Sequence, residues 1–182
     1  MDIQSVHHVA YRCKDAQETV DFYQDVLGLP YAMAIAEDRV PSTGEDAPYM
    51  HVFFQMGDGN FLAFFELPDS PPMGKDQNTP EWVQHLAFKV ADVDTLSACQ
   101  KKIEAHGIDV LGPVDHTICK SIYFFDPNGH RLELAVDTTT PEMVGKLAGV
   151  AKPMLEEWNR TKTAPKHAAW VHEKAMKVLE TV

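Results

Sequence analysis

Two stretches of this chain, Val6-His7-His8-Val9-Ala10-Tyr11 and Val83-Gln84-His85-Leu86-Ala87-Phe88, are near copies, and each opens the same series of elements. After the first, Asp15 with Glu18 three residues later starts a helix in the manner of a capping box. Val20, Phe22, Tyr23 and Val26 give it an apolar face, and Gly28 ends it. Leu29 to Ile35 then reads as a strand, and Tyr49 to Gln55 with Asn60 to Leu67 as a hairpin around Gly57-Asp58-Gly59. After the second copy, Asp92 opens a helix and Gly107 closes it. Ser121 to Phe125 and His130 to Val136 then flank Asp126-Pro127-Asn128-Gly129, a turn with Pro and Gly where a tight hairpin needs them. A twofold βαβββ repeat leaves few folds open. Each copy is too small to bury its sheet alone, so the two should pack around a shared interior.

The expected class is therefore α+β: two βαβββ modules forming a cup-shaped mixed sheet, followed by a helical extension. Residues 1–67 make module one, 68–82 a linker, 83–137 module two and 138–182 the extension. Glu37 to Pro48, with four acidic residues among Pro, Ser and Gly, reads as a loop, and Pro68 to Pro80 as a linker or a lid. In the extension, Thr140-Pro141-Glu142 starts a helix striped by Met143, Leu147, Val150, Met154 and Trp158. A second helix after Pro165 carries Ala168, Val171, Ala175 and Val178. Both are packing surfaces, for the protein's own sheet or for a homodimer contact.

Composition excludes several function classes. With 16 Lys and Arg against 27 Asp and Glu, the net charge is −11, so nucleic acid and anionic membranes are not expected partners. No apolar run is long enough to span a bilayer, and MDIQSVHH lacks the form of a secretion signal, which points to the cytoplasm. Cys13, Cys99 and Cys119 are odd in number and form no CxxC, as expected of reduced core thiols.

Within the repeat, His8 and His85 occupy equivalent places on the first strands, and Glu66 and Glu133 are read as recurring near the ends of the last strands. Imidazole and carboxylate together bind divalent iron, manganese, nickel or zinc, so these four side chains predict one metal site built by both modules. Register counted outward from the Asp126–Gly129 turn sets Tyr123 across from Glu133 on the same face. Counted from Asp58-Gly59 as a two-residue turn, it sets His51 across from Glu66. His7, His106, His130, His167 and His172 are expected to be structural or solvated.

The paired openings and the closing D-P-N-G-H-R-L-E-L resemble the vicinal oxygen chelate superfamily. Its members include glyoxalase I, methylmalonyl-CoA epimerase, fosfomycin and bleomycin resistance proteins and type I extradiol dioxygenases; the resemblance covers residues 1 to about 137. His116, Ile122-Tyr123, Asp126-Pro127-Asn128-Gly129 and Glu133 are similar to a segment of the extradiol dioxygenases. That resemblance implies His8, His85 and Glu133 as Fe(II) ligands, with His116 and Tyr123 as catalytic residues that also bind the substrate. It further implies a small-molecule catechol and O2 as substrates. His51 is a candidate for proton transfer, and Asn60 and Phe64 are candidate substrate contacts in module one. Glu66 is a candidate fourth ligand, since isomerases of the superfamily place one there. It would favour glyoxalase-like lyase or epimerase chemistry with Ni(II), Zn(II), Co(II) or Mn(II), and a sequestering resistance protein is the third alternative.

Overall fold

The computed structural model describes residues 2–57 and 59–171. Asp58 of the first predicted turn, and His172, Ala175 and Val178 of the second terminal helix, lie outside the described residues. Elements follow in the order β1 (His8–Cys13), α1 (Ala16–Asp21), β2 (Tyr31–Arg39), β3 (Asp46–Gln55), β4 (Phe61–Glu66), β5 (His85–Lys89), α2 (Val93–Ala105), β6 (Leu111–Asp115), β7 (Cys119–Phe125), β8 (Arg131–Asp137) and α3 (Pro141–Thr161). The strands make two four-stranded sheets, ordered β1-β4-β3-β2 and β5-β8-β7-β6. Each βαβββ copy thus forms one sheet with the same strand order, and the class is α+β, as the repeat predicts.

The chain divides into two compact units that alternate along the sequence. The first comprises Met1–Leu86, Lys101–Asp109 and Phe124–Leu132; the second comprises Ala87–Gln100, Val110–Tyr123 and Glu133–Val182. In the first, Asp15 caps α1 by accepting from Glu18 N at 2.8 Å, and the helix continues as a π-turn over Phe22–Val26. That turn aims Phe22, Tyr23 and Val26 into the core. Tyr23 packs on Phe54 and Phe64 with ring centroids 5.1 and 4.9 Å apart. The tip of the β7–β8 hairpin docks on the same helix. The Tyr23 hydroxyl donates to Asp126 at 3.0 Å, Lys14 N donates to the Asn128 side chain at 2.8 Å, and the Asn128 amide donates to Thr19 at 3.2 Å and to Asp126 at 3.0 Å. The turn read as a register device is therefore also a buried polar anchor, and His130 belongs to it through its backbone N on Asp126 and its ring on the Arg12 carbonyl.

Segment 37–48 is a correction. β2 runs to Arg39 and β3 begins at Asp46, so only a short turn with Gly44 at φ +76° remains of the predicted loop. Glu37 and Asp38 lie on β2, an exposed edge strand where nothing selects for apolar side chains, Asp46 opens β3, and Pro41, Ser42, Gly44 and Glu45 make the short turn. An exposed Arg39–Asp46 ion pair faces across its end.

In the second unit, β6 pairs antiparallel with β7 through a shift between Leu111 and Val114. Gly112 sits in that shift at φ +124°, and a Cβ there would come within 2.7 Å of the Ser121 carbonyl, so only glycine fits. Thr140 caps α3 by accepting from Met143 N, and Lys162 in the left-handed conformation ends it. The stripe is partly covered: Met143, Leu147, Val150 and Met154 are half-buried, whereas Trp158 is exposed. Beyond it the described chain holds a single 3-10 turn, Ala169–Val171.

Candidate active site

The second unit gathers three of the predicted residues. A turn at His116–Cys119, closed by His116 N donating to Cys119 O at 2.9 Å, puts Thr117 in the left-handed region at φ +69°. Asp115 accepts from Thr117 N at 2.7 Å, and the Thr138 hydroxyl donates to the Thr117 carbonyl at 2.8 Å, so the turn is tied on both sides. His116 is thereby fixed with Nε2 2.8 Å from the Tyr123 hydroxyl. The phenol also hydrogen-bonds Glu133, a carboxylate only 6% exposed on β8. Burial first, then the Glu133 charge, raises the Tyr123 pKa above that of an ordinary phenol, so the hydroxyl keeps its proton at neutral pH. With that proton directed at the carboxylate, the phenol oxygen can accept from the His116 tautomer that carries its proton on Nε2, and Ser121 bonds the same hydroxyl. The row His116–Tyr123–Glu133 is a short donor chain ending on an anion, and a proton can move along it.

In the first unit, one face of the β1-β4-β3 sheet carries His8, His51, Phe53, Phe61, Ala63 and Phe65. His8 is exposed, with Nδ1 2.8 Å from His7 Nδ1. His51 is buried between Phe65, stacked at 3.5 Å between centroids, and Phe53 at 4.0 Å, and lies 6.4 Å from the His8 ring. Desolvation, helped by His8, lowers its pKa to about 4, so it is neutral at pH 7, and its Nε2 has no partner among the described residues. His51 pairs with Phe65, and Met50 with Glu66, so the expected His51–Glu66 pairing is wrong by one residue. The turn is the reason. Met56 N donates to Asn60 O at 2.8 Å, closing a loop one residue longer than a two-residue turn, with Gly59 at φ +85°.

Both hairpins share this turn, since Asp126 N likewise donates to His130 O at 3.0 Å with Gly129 at φ +88°. Aligned on these turns, Glu133 corresponds to Ala63, Tyr123 to Phe53, and Glu66 to Val136. The equivalence of Glu66 with Glu133 is therefore corrected. Strand pairing agrees: His8 lies beside Phe61, whereas Glu66 lies beside Cys13, five residues farther along β1, or about 16 Å. His8 and Glu66 cannot share an ion. Glu66 instead accepts from Ala16 N at 2.7 Å, at the first turn of α1. Glu66→Ala is accordingly expected to lower stability by about 1 kcal/mol while leaving metal content unchanged, readable by urea denaturation and elemental analysis.

The other predicted residues separate. Phe64 is 1% exposed on the opposite face, packed against Tyr23 and Phe54, so it is a core residue and not a substrate contact. Asn60 closes its turn through its carbonyl. His85 opens β5, and its Nδ1 donates to the Val83 carbonyl at 3.1 Å, which leaves the lone pair of the neutral ring on Nε2. Among the described residues no three His, Cys, Asp or Glu side chains form a group that could hold a metal ion. Sequence reading missed Thr138 and the anchoring role of Asp126 and Asn128; counting four residues on from each turn glycine would have exposed the Ala63–Glu133 correspondence.

A family model described as the glyoxalase/bleomycin resistance protein/dioxygenase superfamily matches residues 5–134. Among relatives, the putative ring-cleaving dioxygenase MhqA of Bacillus subtilis is 29% identical over 75% of this chain, which spans 42% of that protein's length. The 2-epi-5-epi-valiolone epimerase of an Actinomyces species is 29% identical over 71% of this chain and 78% of its own. A crystal structure of a glyoxalase/dioxygenase from Nostoc punctiforme superposes with a TM-score of 0.54 at 30% identity, covering 75% of this chain and 92% of that one.

Proposed function

Because the chain belongs to the glyoxalase/bleomycin resistance protein/dioxygenase superfamily, we propose that it is a metal-dependent enzyme of the extradiol type, cleaving a catechol-like ring with O2. The observation that carries this reading is the His116–Tyr123–Glu133 row. A catechol must give up a proton to chelate a metal ion and a proton must be returned as the product forms; a phenol held between an imidazole and a buried carboxylate suits both transfers. His116 and Tyr123 would bind the substrate oxygens and hold the proton at the phenol oxygen. In the first unit, Phe53, Phe61 and Phe65 make apolar the sheet face that carries His8.

His8, His85 and Glu133 are the donors we assign to the metal. Two imidazoles and one carboxylate suit Fe(II), with Mn(II) as the nearest substitute, and the bound ion would supply electron transfer between substrate and oxygen. The isomerase alternative drew on Glu66 as a fourth ligand, and Glu66 is committed to α1. The epimerase relative keeps proton-shift chemistry as the second reading.

The test is anaerobic reconstitution with Fe(II), followed by catechols and air while O2 uptake and a coloured ring-opened product are followed. Uptake is expected in the native protein, with loss of both bound iron and uptake in Glu133→Ala. No uptake across a broad catechol panel, together with metal-dependent turnover of a hemithioacetal or an epimerisable substrate, would sink the dioxygenase reading.

A further inference from the structure

The first histidine of Val6-His7-His8-Val9 is expected from the sequence to be structural or solvated, and the fold gives it a specific partner. His7 Nδ1 lies 2.8 Å from His8 Nδ1, with the two rings nearly perpendicular and their centroids 5.1 Å apart. Two imidazole nitrogens at that distance share one proton, so one ring donates and the other accepts. The main chain holds the pair in place. Phe61 N donates to the His7 carbonyl at 3.2 Å, and His8 opens β1 in register with Phe61 of β4. The His8 ring also meets Phe53 edge-on, with centroids 6.2 Å apart.

The direction of the shared proton decides what His8 can do. If His7 donates, a neutral His8 ring carries its own proton on Nε2 and gives its one lone pair to His7, so neither nitrogen can take a metal ion. If His8 donates from Nδ1, its lone pair stands on Nε2. The second copy of the motif has the latter arrangement. His85, the equivalent of His8, sets Nδ1 3.1 Å from the Val83 carbonyl, and a carbonyl can only accept. Gln84 stands where the first copy has His7. One copy thus ties Nδ1–H to a backbone oxygen, and the other has a neighbouring ring in reach for the same purpose.

We propose that His7 is a positioning residue whose Nδ1 accepts from His8 Nδ1–H, fixing the ring orientation and tautomer that present His8 Nε2 to a divalent ion. The inference rests on the reading above in taking His8 as a metal donor. A ligating histidine held by a hydrogen bond on its other nitrogen is both oriented and made more basic, and loss of such a partner costs about ten- to a hundredfold in metal affinity. For this role His7 must offer a bare Nδ1, which puts its own proton on Nε2. An asparagine at this position offers Oδ1 close to where the histidine Nδ1 lies and can accept in its place; leucine fills the space without accepting.

Long-range proton–nitrogen correlation spectra of the metal-free protein, taken in mildly alkaline solution, report which nitrogen of His8 carries the proton. The native protein is expected to show it on Nδ1, His7→Asn to keep it there, and His7→Leu to shift His8 toward the Nε2–H form. His7 is exposed, so both variants should fold. Anaerobic competition for Fe(II) against a chromophoric chelator is the second readout: His7→Leu should weaken binding about tenfold and His7→Asn by less than about threefold. A native His8 protonated on Nε2 overturns the proposal, as does a His7→Leu protein whose His8 tautomer or Fe(II) affinity matches the native. Equal weakening by asparagine and leucine overturns it too, since a hydrogen-bond acceptor would then not be what matters. Oxygen uptake separates this proposal from the previous one: tautomer control and its effect on Fe(II) without uptake from any catechol remove only the dioxygenase reading. Uptake in a His7→Leu protein of native tautomer and Fe(II) affinity removes only the role of His7.

Discussion

Asn128→Ala is expected to destabilise the protein by about 3 kcal/mol, lowering Tm by roughly 6–12 °C for a chain of this size. Asn128 is 6% exposed, and its amide satisfies Lys14 N, the Thr19 hydroxyl and the Asp126 carboxylate together. Alanine would leave the part-buried Lys14 N without its acceptor and remove one of the donors that solvate Asp126, itself 5% exposed. Two donors would remain on that carboxylate, the Tyr23 hydroxyl at 3.0 Å and His130 N at 2.7 Å, so the loss is large without abolishing folding. Tyr23 serves the network as a neutral donor. Burial, then the charge of Asp126, holds its pKa well above the phenol range, so it does not ionise where the protein is stable. Asp126→Asn, which keeps the shape and one acceptor, should cost less than Asp126→Ala. Urea melts followed by circular dichroism check the series, and a change under 1 kcal/mol for Asn128→Ala would show that the hairpin tip is not the anchor inferred here.

Much of the fold was legible because the chain states it twice. The paired openings, the capping aspartates and the helix-ending glycines gave two βαβββ copies, and the two sheets with identical strand order follow from them. What failed were offsets of one and three residues. Matching the first hairpin to the second by its end rather than by its turn displaces it by three residues, and a side chain shifted by three positions on a strand changes face. That displacement is what sets Glu66 beside Glu133 in the pattern, whereas in the fold Glu66 serves α1 and Phe64 serves the core. Tyr123 beside Glu133 was legible because Pro127 and Gly129 fix that turn type; the first hairpin lacks a proline, and its turn length stayed open. The anchoring of Asp126 and Asn128 on Lys14, Thr19 and Tyr23 joins residues more than 100 positions apart, and no local pattern announces such a contact.

Tyr123→Phe is expected to lower kcat/KM for ring cleavage by about 10²–10³ while leaving folding and bound metal within error of the native protein. The substitution removes one oxygen and keeps the ring, which is only partly buried, so packing is preserved. It breaks the chain at its centre: His116 Nε2 loses its partner at 2.8 Å, and Glu133 loses the phenol proton. If the hydroxyl only oriented substrate, KM would rise with kcat unchanged. A proton-transfer role places the loss in kcat and removes the pH dependence that the native row imparts. The direction of that dependence follows from the phenol's raised pKa. Neutral Tyr123 is the form that donates, it persists through the neutral range, and activity should fall only as pH climbs past the ordinary phenol range. His116→Gln, which keeps a hydrogen-bond donor but cannot exchange its proton, should reproduce most of the loss. Full activity in Tyr123→Phe, with metal and fold intact, would remove the row from the chemistry and leave it as a structural bond beneath β8.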